Sequence, residues 1–174
     1  MRILAISGSL REASSNSALI RAMVGLAPRG VSVQIYSGLD QLPFFNPDLD
    51  VEPWPAAVQG LRAEVEGADA LLFSSPEYAH GVPGVLKNAL DWLVGSGELM
   101  DKPIAVINAS PRATYAYASL TETLSVMSGR IVPEASITVA VSGHLRDERQ
   151  ICADPTVSTA LRTALATLAS VAVG

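Results

Sequence analysis

The strongest constraint on this chain is a steady alternation of short aliphatic runs with helical patterns from one end to the other. Five runs predict strands: Arg2–Ser7, Ser32–Tyr36, Ala70–Ser75, Ile104–Asn108 and Ser136–Val141. The patterns that follow them, Ser17–Ala27, Ala56–Gly67, Val85–Leu93, Ala116–Ser128 and Pro155–Val173, predict helices. In the last, Leu161, Leu165, Leu168 and Ala172 recur at helical spacing and share one face. The central runs stay apolar on both sides, as strands do in a parallel sheet covered by helices on each face. Such an order requires right-handed crossovers and an α/β, doubly wound sheet, whose ligand site lies beyond the carboxyl ends of the strands where strand order reverses. A length of 174 residues suits one core, so residues 1–174 are expected to form a single domain. The segment 38–55, with Pro43, Pro47, Pro53 and Pro55, is expected to be an irregular surface loop, either a wall of the site or a plain connector.

Composition matters here for what it excludes. A net charge of −5 with 12 scattered basic residues argues against a nucleic-acid surface. One cysteine, Cys152, cannot form an internal disulfide, and no Cys/His cluster offers a metal site. The start Met1-Arg2-Ile3-Leu4 reaches polar residues too soon for the core of a signal peptide, so a cytoplasmic location is expected. The apolar tail 160–173 is interrupted by Arg162, Thr163, Thr167 and Ser170 and falls short of the roughly 20 apolar residues of a membrane span.

Strand one runs into Gly8-Ser9-Leu10-Arg11-Glu12-Ala13-Ser14-Ser15-Asn16, with a helix expected to begin near Ser17. Gly8 permits a tight or left-handed backbone, and a helix start offers unpaired N–H groups at a positive dipole end, which favours an anion. The hydroxyls of Ser9, Ser14 and Ser15, the Asn16 amide and the Arg11 guanidinium are able to complete such a cradle. Ser14, Ser15 and Asn16 read equally well as helix caps, but capping gives no reason for Gly8, Ser9 and Arg11 to accompany them. No Gly-Lys-Ser/Thr and no G-x-G-x-x-G occurs, which disfavours ATP hydrolysis and a dinucleotide-type Rossmann site. Strands one and three end in Ser7-Gly8-Ser9 and Ser74-Ser75-Pro76, without the acidic Mg²⁺ ligands of a phosphoacceptor receiver.

After strand three comes Ser75-Pro76-Glu77-Tyr78-Ala79-His80-Gly81-Val82-Pro83-Gly84-Val85-Leu86-Lys87-Asn88-Ala89-Leu90-Asp91-Trp92. Together the two loops resemble the NAD(P)H-dependent FMN reductase family, which includes quinone, azo-compound and chromate reductases. The family's first loop, G-S-L-R-x-x-S-x-N, is matched by Gly8, Ser9, Leu10, Arg11, Ser14 and Asn16. Its second, P-E-Y-N-x-x-x-P-G-x-L-K-N-A-x-D-W, is matched by Pro76, Glu77, Tyr78, Pro83, Gly84, Leu86, Lys87, Asn88, Ala89, Asp91 and Trp92. Ala79 stands where the family usually has Asn, and the third loop, Ser110-Pro111-Arg112, replaces a Gly-rich turn.

The resemblance implies a flavodoxin-like fold, a five-stranded parallel sheet of order 2-1-3-4-5 with helices on both faces. It implies an FMN-dependent oxidoreductase that takes hydride from NADPH or NADH and passes it through bound flavin to a small acceptor such as a quinone, free flavin, azo compound or chromate, by a ping-pong scheme without a catalytic side chain. By the same resemblance FMN is held by Ser9, Arg11, Ser14, Ser15, Asn16 and Ser17, by Pro76, Glu77, Tyr78, Ala79, His80 and Gly81, and by Ser110, Pro111 and Arg112. A homodimer or homotetramer, with no nucleic-acid or membrane partner, is implied as well.

Individual residues keep more than one reading. Tyr78 either packs on the ring or supports its loop; His80 either meets substrate or is solvated, and His144 is the weaker candidate. Glu77 is expected in a loop-bracing ion pair or at a partner subunit, Lys87 and Asp91 in an i,i+4 pair, and Trp92 in the core. Two other classes stand beside the enzyme: a flavin electron carrier that consumes no pyridine nucleotide, and a flavin-free anion-binding module using only the first loop.

Overall fold

The computed structural model describes residues 1–141 and 147–173. Five parallel strands form one sheet in the order β2-β1-β3-β4-β5. They are β1 (Arg2–Ser7), β2 (Ser32–Tyr36), β3 (Ala70–Ser74), β4 (Pro103–Val106) and β5 (Arg130–Ile131). Helices α1 (Ser15–Leu26), α2 (Ala56–Glu66), α3 (Gly84–Asp91), α4 (Thr114–Val126), α5 (Glu148–Ala153) and α6 (Pro155–Val173) cover it. This is the flavodoxin-like arrangement that the sequence predicts.

The two-sided burial follows from strand periodicity, since successive side chains point to opposite faces. Ile3 and Ala5 of β1, Ala70 and Leu72 of β3 and Ala105 of β4 join α1, α5 and α6 in one core. Leu4 and Ile6, Leu71 and Phe73, and Ile104 and Val106 join α2, α3 and α4 in the other. The register Ile3↔Ala70 and Ile6↔Phe73 aligns β1 with β3, so both strands end level at the carboxyl edge, where β1 continues into the first loop and β3 into the second. By length and composition α6 would suffice to cross a membrane. Its Leu161, Ala164, Leu165 and Leu168 are instead buried in the first core.

The fifth strand departs from the expected Ser136–Val141. The two-residue β5 pairs earlier with β4, Pro103 opposite Arg130, and Pro133 then opens a single 3₁₀ turn, Pro133–Ala135. Proline has no N–H for a ladder, so continuous pairing stops there. The Ser136 hydroxyl accepts from the Val106 N–H at 3.1 Å in place of a strand carbonyl. Extended pairing then resumes, with Asn108 N–H donating to the Ile137 carbonyl and Val139 N–H to that of Asn108, both at 2.8 Å. The helix α5 was not expected; Asp147 caps it by accepting from the Gln150 N–H at 2.9 Å. Glu148 in its first turn receives Arg21 of α1 at 3.1 Å. Its carboxyl is held below the usual value, first by its own backbone N–H and then by that guanidinium.

Segment 38–55 is irregular apart from short 3₁₀ turns at Leu39–Gln41 and Pro47–Leu49, and the Glu52–Pro53 peptide is cis. It is pinned to α3 by residues that the second motif contains. The Asn88 side chain accepts from the Phe45 N–H at 2.8 Å and donates to the Pro43 carbonyl at 3.0 Å. The fully buried Trp92 donates to the same carbonyl at 2.8 Å and meets Phe45 edge to face. At its far end Asp50 pairs with Arg62 of α2, whose guanidinium also donates to the Trp92 carbonyl and lies over the Trp54 ring.

Candidate active site

Gly8 earns its place by close approach. A Cβ there would lie 2.6 Å from the Ser75 Oγ and 3.1 Å from Leu86, so the first and second loops pack directly on each other. Of the expected tight or left-handed backbone, the structure shows the tight approach without a positive φ, a contact that a residue without a side chain allows. From Gly8 the chain climbs through two small turns: the Ser9 N–H donates to the Ser7 Oγ and the Arg11 N–H to the Ser9 Oγ.

Helix α1 begins at Ser15, two residues before the expected Ser17. Ser14 is its cap: the buried Ser14 side chain accepts from the Ser17 N–H at 3.4 Å. The first-turn N–H groups of Ser15 and Asn16 have no intrahelical carbonyl to meet, and both residues line a cleft of about 430 Å³ at the carboxyl edge. Asn16 is held by a buried bond from the Ser74 hydroxyl at 2.9 Å, which ties the helix start to the end of β3. Ser17 bonds the Ser7 hydroxyl at 2.8 Å.

The same cleft collects Pro76 and Glu77 from the second loop and Ser110 and Arg112 from the third. The third loop is a closed turn of its own. Asn108 accepts from the Ser110 N–H and donates to the Ala113 carbonyl, each at 3.1 Å, and the Ser110 hydroxyl accepts from the Arg112 N–H. Pro111 and Arg112 are exposed on its crest. Thus Ser15, Asn16, Pro76, Glu77, Ser110 and Arg112 converge on one cleft. Ser9, Arg11 and Ser17 face a second cavity on the β2 side, and Ser14 is committed to capping.

The second loop holds two features that sequence reasoning missed. Glu77 braces the second loop against α4: its carboxylate accepts from the Ala116 N–H at 2.8 Å, in the first turn of that helix. An anionic acceptor there satisfies an unpaired donor and meets the positive end of the helix. The only sequence signal was the absence of a Ser, Thr, Asp or Asn at the Ala113 cap position. Beyond it, Tyr78 and Gly81 exchange backbone hydrogen bonds across Ala79 and His80, whose φ values are 49° and 61°. Two consecutive positive φ values define a type I′ hairpin turn, the geometry that favours Asn or Gly. Ala79 therefore stands in a conformation that an Asn would tolerate better. His80 is stacked on Tyr115 of α4 at 4.2 Å between centroids. Tyr78 is more than half exposed, Ala79 and His80 are exposed and Gly81 partly so, and none of the four lines the cleft. His144 lies outside the described residues. Lys87 and Asp91 form the expected exposed pair.

An NAD(P)H-dependent FMN reductase of Pseudomonas aeruginosa is 41% identical over 112 residues, 63% of this chain and 60% of that protein. An NADPH:quinone oxidoreductase of Arabidopsis thaliana is 41% identical over 112 residues, 62% of this chain and 57% of the relative. The chain thus spans about three fifths of the length of these curated relatives. Among solved structures, the flavoenzyme NAD(P)H:(acceptor) oxidoreductase of Paracoccus denitrificans superposes with a TM-score of 0.74 at 27% identity, covering 98% of this chain and 96% of that one. The family model described as NADPH-dependent FMN reductase matches residues 1–144, a span that takes in all three loops of the carboxyl edge. The chain belongs to the NADPH-dependent FMN reductase family.

Proposed function

We propose that this chain is an FMN-dependent NAD(P)H oxidoreductase that reduces a small acceptor such as a quinone, and that residues 1–174 act as one FMN-binding unit. The observation that carries this reading is the cleft where β1, β3 and β4 end. It joins the exposed first turn of α1 to the second and third loops, and its volume of about 430 Å³ falls in the range of cofactor sites. The residues fit the group. The N–H groups of Ser15 and Asn16, the Ser9 hydroxyl and the Arg11 guanidinium would hold the phosphate. Pro76, Glu77, Ser110 and Arg112 would flank the ring, with Tyr78, Ala79, His80, Gly81 and Pro111 at its rim. Ser14 and Ser17 would contribute by setting the helix start.

When bound, the flavin supplies the redox chemistry, accepting hydride from the nucleotide and delivering it to the acceptor. The chain's own part is binding and orientation: the Asn16–Ser74 bond fixes the helix start and Glu77 fixes α4 against the second loop. No side chain is required as nucleophile or base. The enzymes named among the relatives support this reading over an electron carrier. A homodimer or homotetramer fits the exposed aromatic rings of Phe44, Tyr78 and Tyr115. Steady-state assays test the reading: FMN-loaded protein should oxidise NADPH when a quinone is supplied, with parallel double-reciprocal plots. A protein that turns over no pyridine nucleotide would be a carrier instead.

A further inference from the structure

Ser74, the last residue of β3, is fully buried, and its hydroxyl donates to the Asn16 Oδ1 at 2.9 Å. Its carbonyl is already committed, accepting from the Gly8 N–H at 2.9 Å where the first loop leaves β1. A hydroxyl closed off from water has to place its proton on an acceptor. Among the described residues that acceptor is the Asn16 oxygen. The requirement decides which way the Asn16 carboxamide is turned. With its oxygen and nitrogen exchanged, the NH₂ group would donate to Ser74 and leave the buried hydroxyl proton without a partner, which is costly.

Asn16 is itself more than nine-tenths buried, with 7% of its surface open, and it lines the cleft at the carboxyl edge. Its Nδ2 donates to no group among the described residues, yet it is not sealed in the interior as Arg2 Nε and Trp54 Nε1 are. The unused amide protons therefore open on the cleft, beside the first-turn N–H groups of α1 that have no intrahelical acceptor. Side chain and helix start present donors to the same space, which suits an anion. The opposite amide orientation would set carbonyl lone pairs against it.

We propose that Ser74 is a positioning residue: by holding the Asn16 oxygen it turns the Asn16 amide donor into the cleft, toward the phosphate of FMN. The proposal rests on the FMN-binding reading. It adds a residue that does not itself line the cleft and belongs to neither loop motif, and whose whole effect on the cofactor passes through one carboxamide.

The test titrates FMN-free protein with FMN and with riboflavin, which lacks the phosphate, and reads flavin fluorescence. Ser74→Ala should weaken FMN binding roughly tenfold, the scale of one charge-assisted hydrogen bond to phosphate, and riboflavin binding much less. Asn16→Ala should do the same, and the double variant should bind FMN no more weakly than Asn16→Ala alone, because the two residues act as one unit. Additive losses, equal losses for FMN and riboflavin, or undiminished FMN affinity in Ser74→Ala would each overturn the proposal. Wild-type protein gives a measurement that does not depend on how the variants fold. By NMR of isotope-labelled protein, the Asn16 side-chain NH₂ resonance should shift on adding FMN and far less on adding riboflavin; a resonance that FMN leaves in place would overturn the proposal too. Wild-type protein that binds neither flavin would mean that the FMN-binding reading has failed on its own. Inorganic phosphate is then the probe: a shift of the Asn16 resonance supports the donor orientation, and no shift overturns it.

Discussion

Arg11 and Ser9 of the first loop, proposed to hold the FMN phosphate, supply a direct residue-scale test of that placement. The double change Arg11→Ala with Ser9→Ala should weaken FMN binding, because each charge-assisted bond to phosphate contributes on the order of 1.5–3 kcal/mol. Quenching of flavin fluorescence measures it, and unchanged affinity would show that the phosphate lies elsewhere. Ala79 poses the opposite case, a residue whose backbone disagrees with its side chain. An L-residue in the left-handed region costs roughly 1–2 kcal/mol, which Asn partly recovers through local hydrogen bonding. Ala79→Asn should therefore raise the thermal midpoint by a few degrees, and a lower midpoint would contradict the turn assigned here. The sequence showed that Ala79 departs from the family motif. That its φ is 49° was not readable, because a type I′ turn without Asn or Gly leaves no local signature.

Among the elements, most boundaries were readable and the exceptions have identifiable causes. β1, β2 and α6 fall where the patterns place them, since apolar period and strand length agree there. The expected strand Ser136–Val141 is apolar enough to pair, but Pro133 and the 3₁₀ turn it starts divide it from β5. α5 has six residues, too few for a helical period to stand out. The caps were legible where they are local and hidden where they are not: Ser14 caps its own helix, whereas Glu77 caps α4 from 39 positions away. Glu77→Ala should cost about 0.5–2 kcal/mol, the usual loss for a helix cap. Thermal unfolding of FMN-free protein measures this without the cofactor's contribution. A variant as stable as the wild type would mean that the bond to Ala116 does not hold α4 in place.

At the scale of the whole molecule, the fold was legible because two-sided burial of strands and their order with helices leave few topologies. The candidate site was legible as a set of loops but not as a space. Sequence placed Ser9 and Arg11 with Asn16 and Glu77 in one group; the structure distributes them over two cavities, Ser9 and Arg11 in one, Asn16 and Glu77 in the other. That division depends on how β2 and the segment after it approach the first loop, a tertiary relation that no local pattern encodes. The proposal of an FMN-dependent NAD(P)H oxidoreductase rests on the cleft at the carboxyl edge. The direct measurement is an anaerobic titration of purified, FMN-loaded protein with NADPH, followed by flavin absorbance. Stoichiometric bleaching of the flavin band is expected, with its return when a quinone is added. A band that persists in the presence of excess NADPH would contradict the oxidoreductase reading.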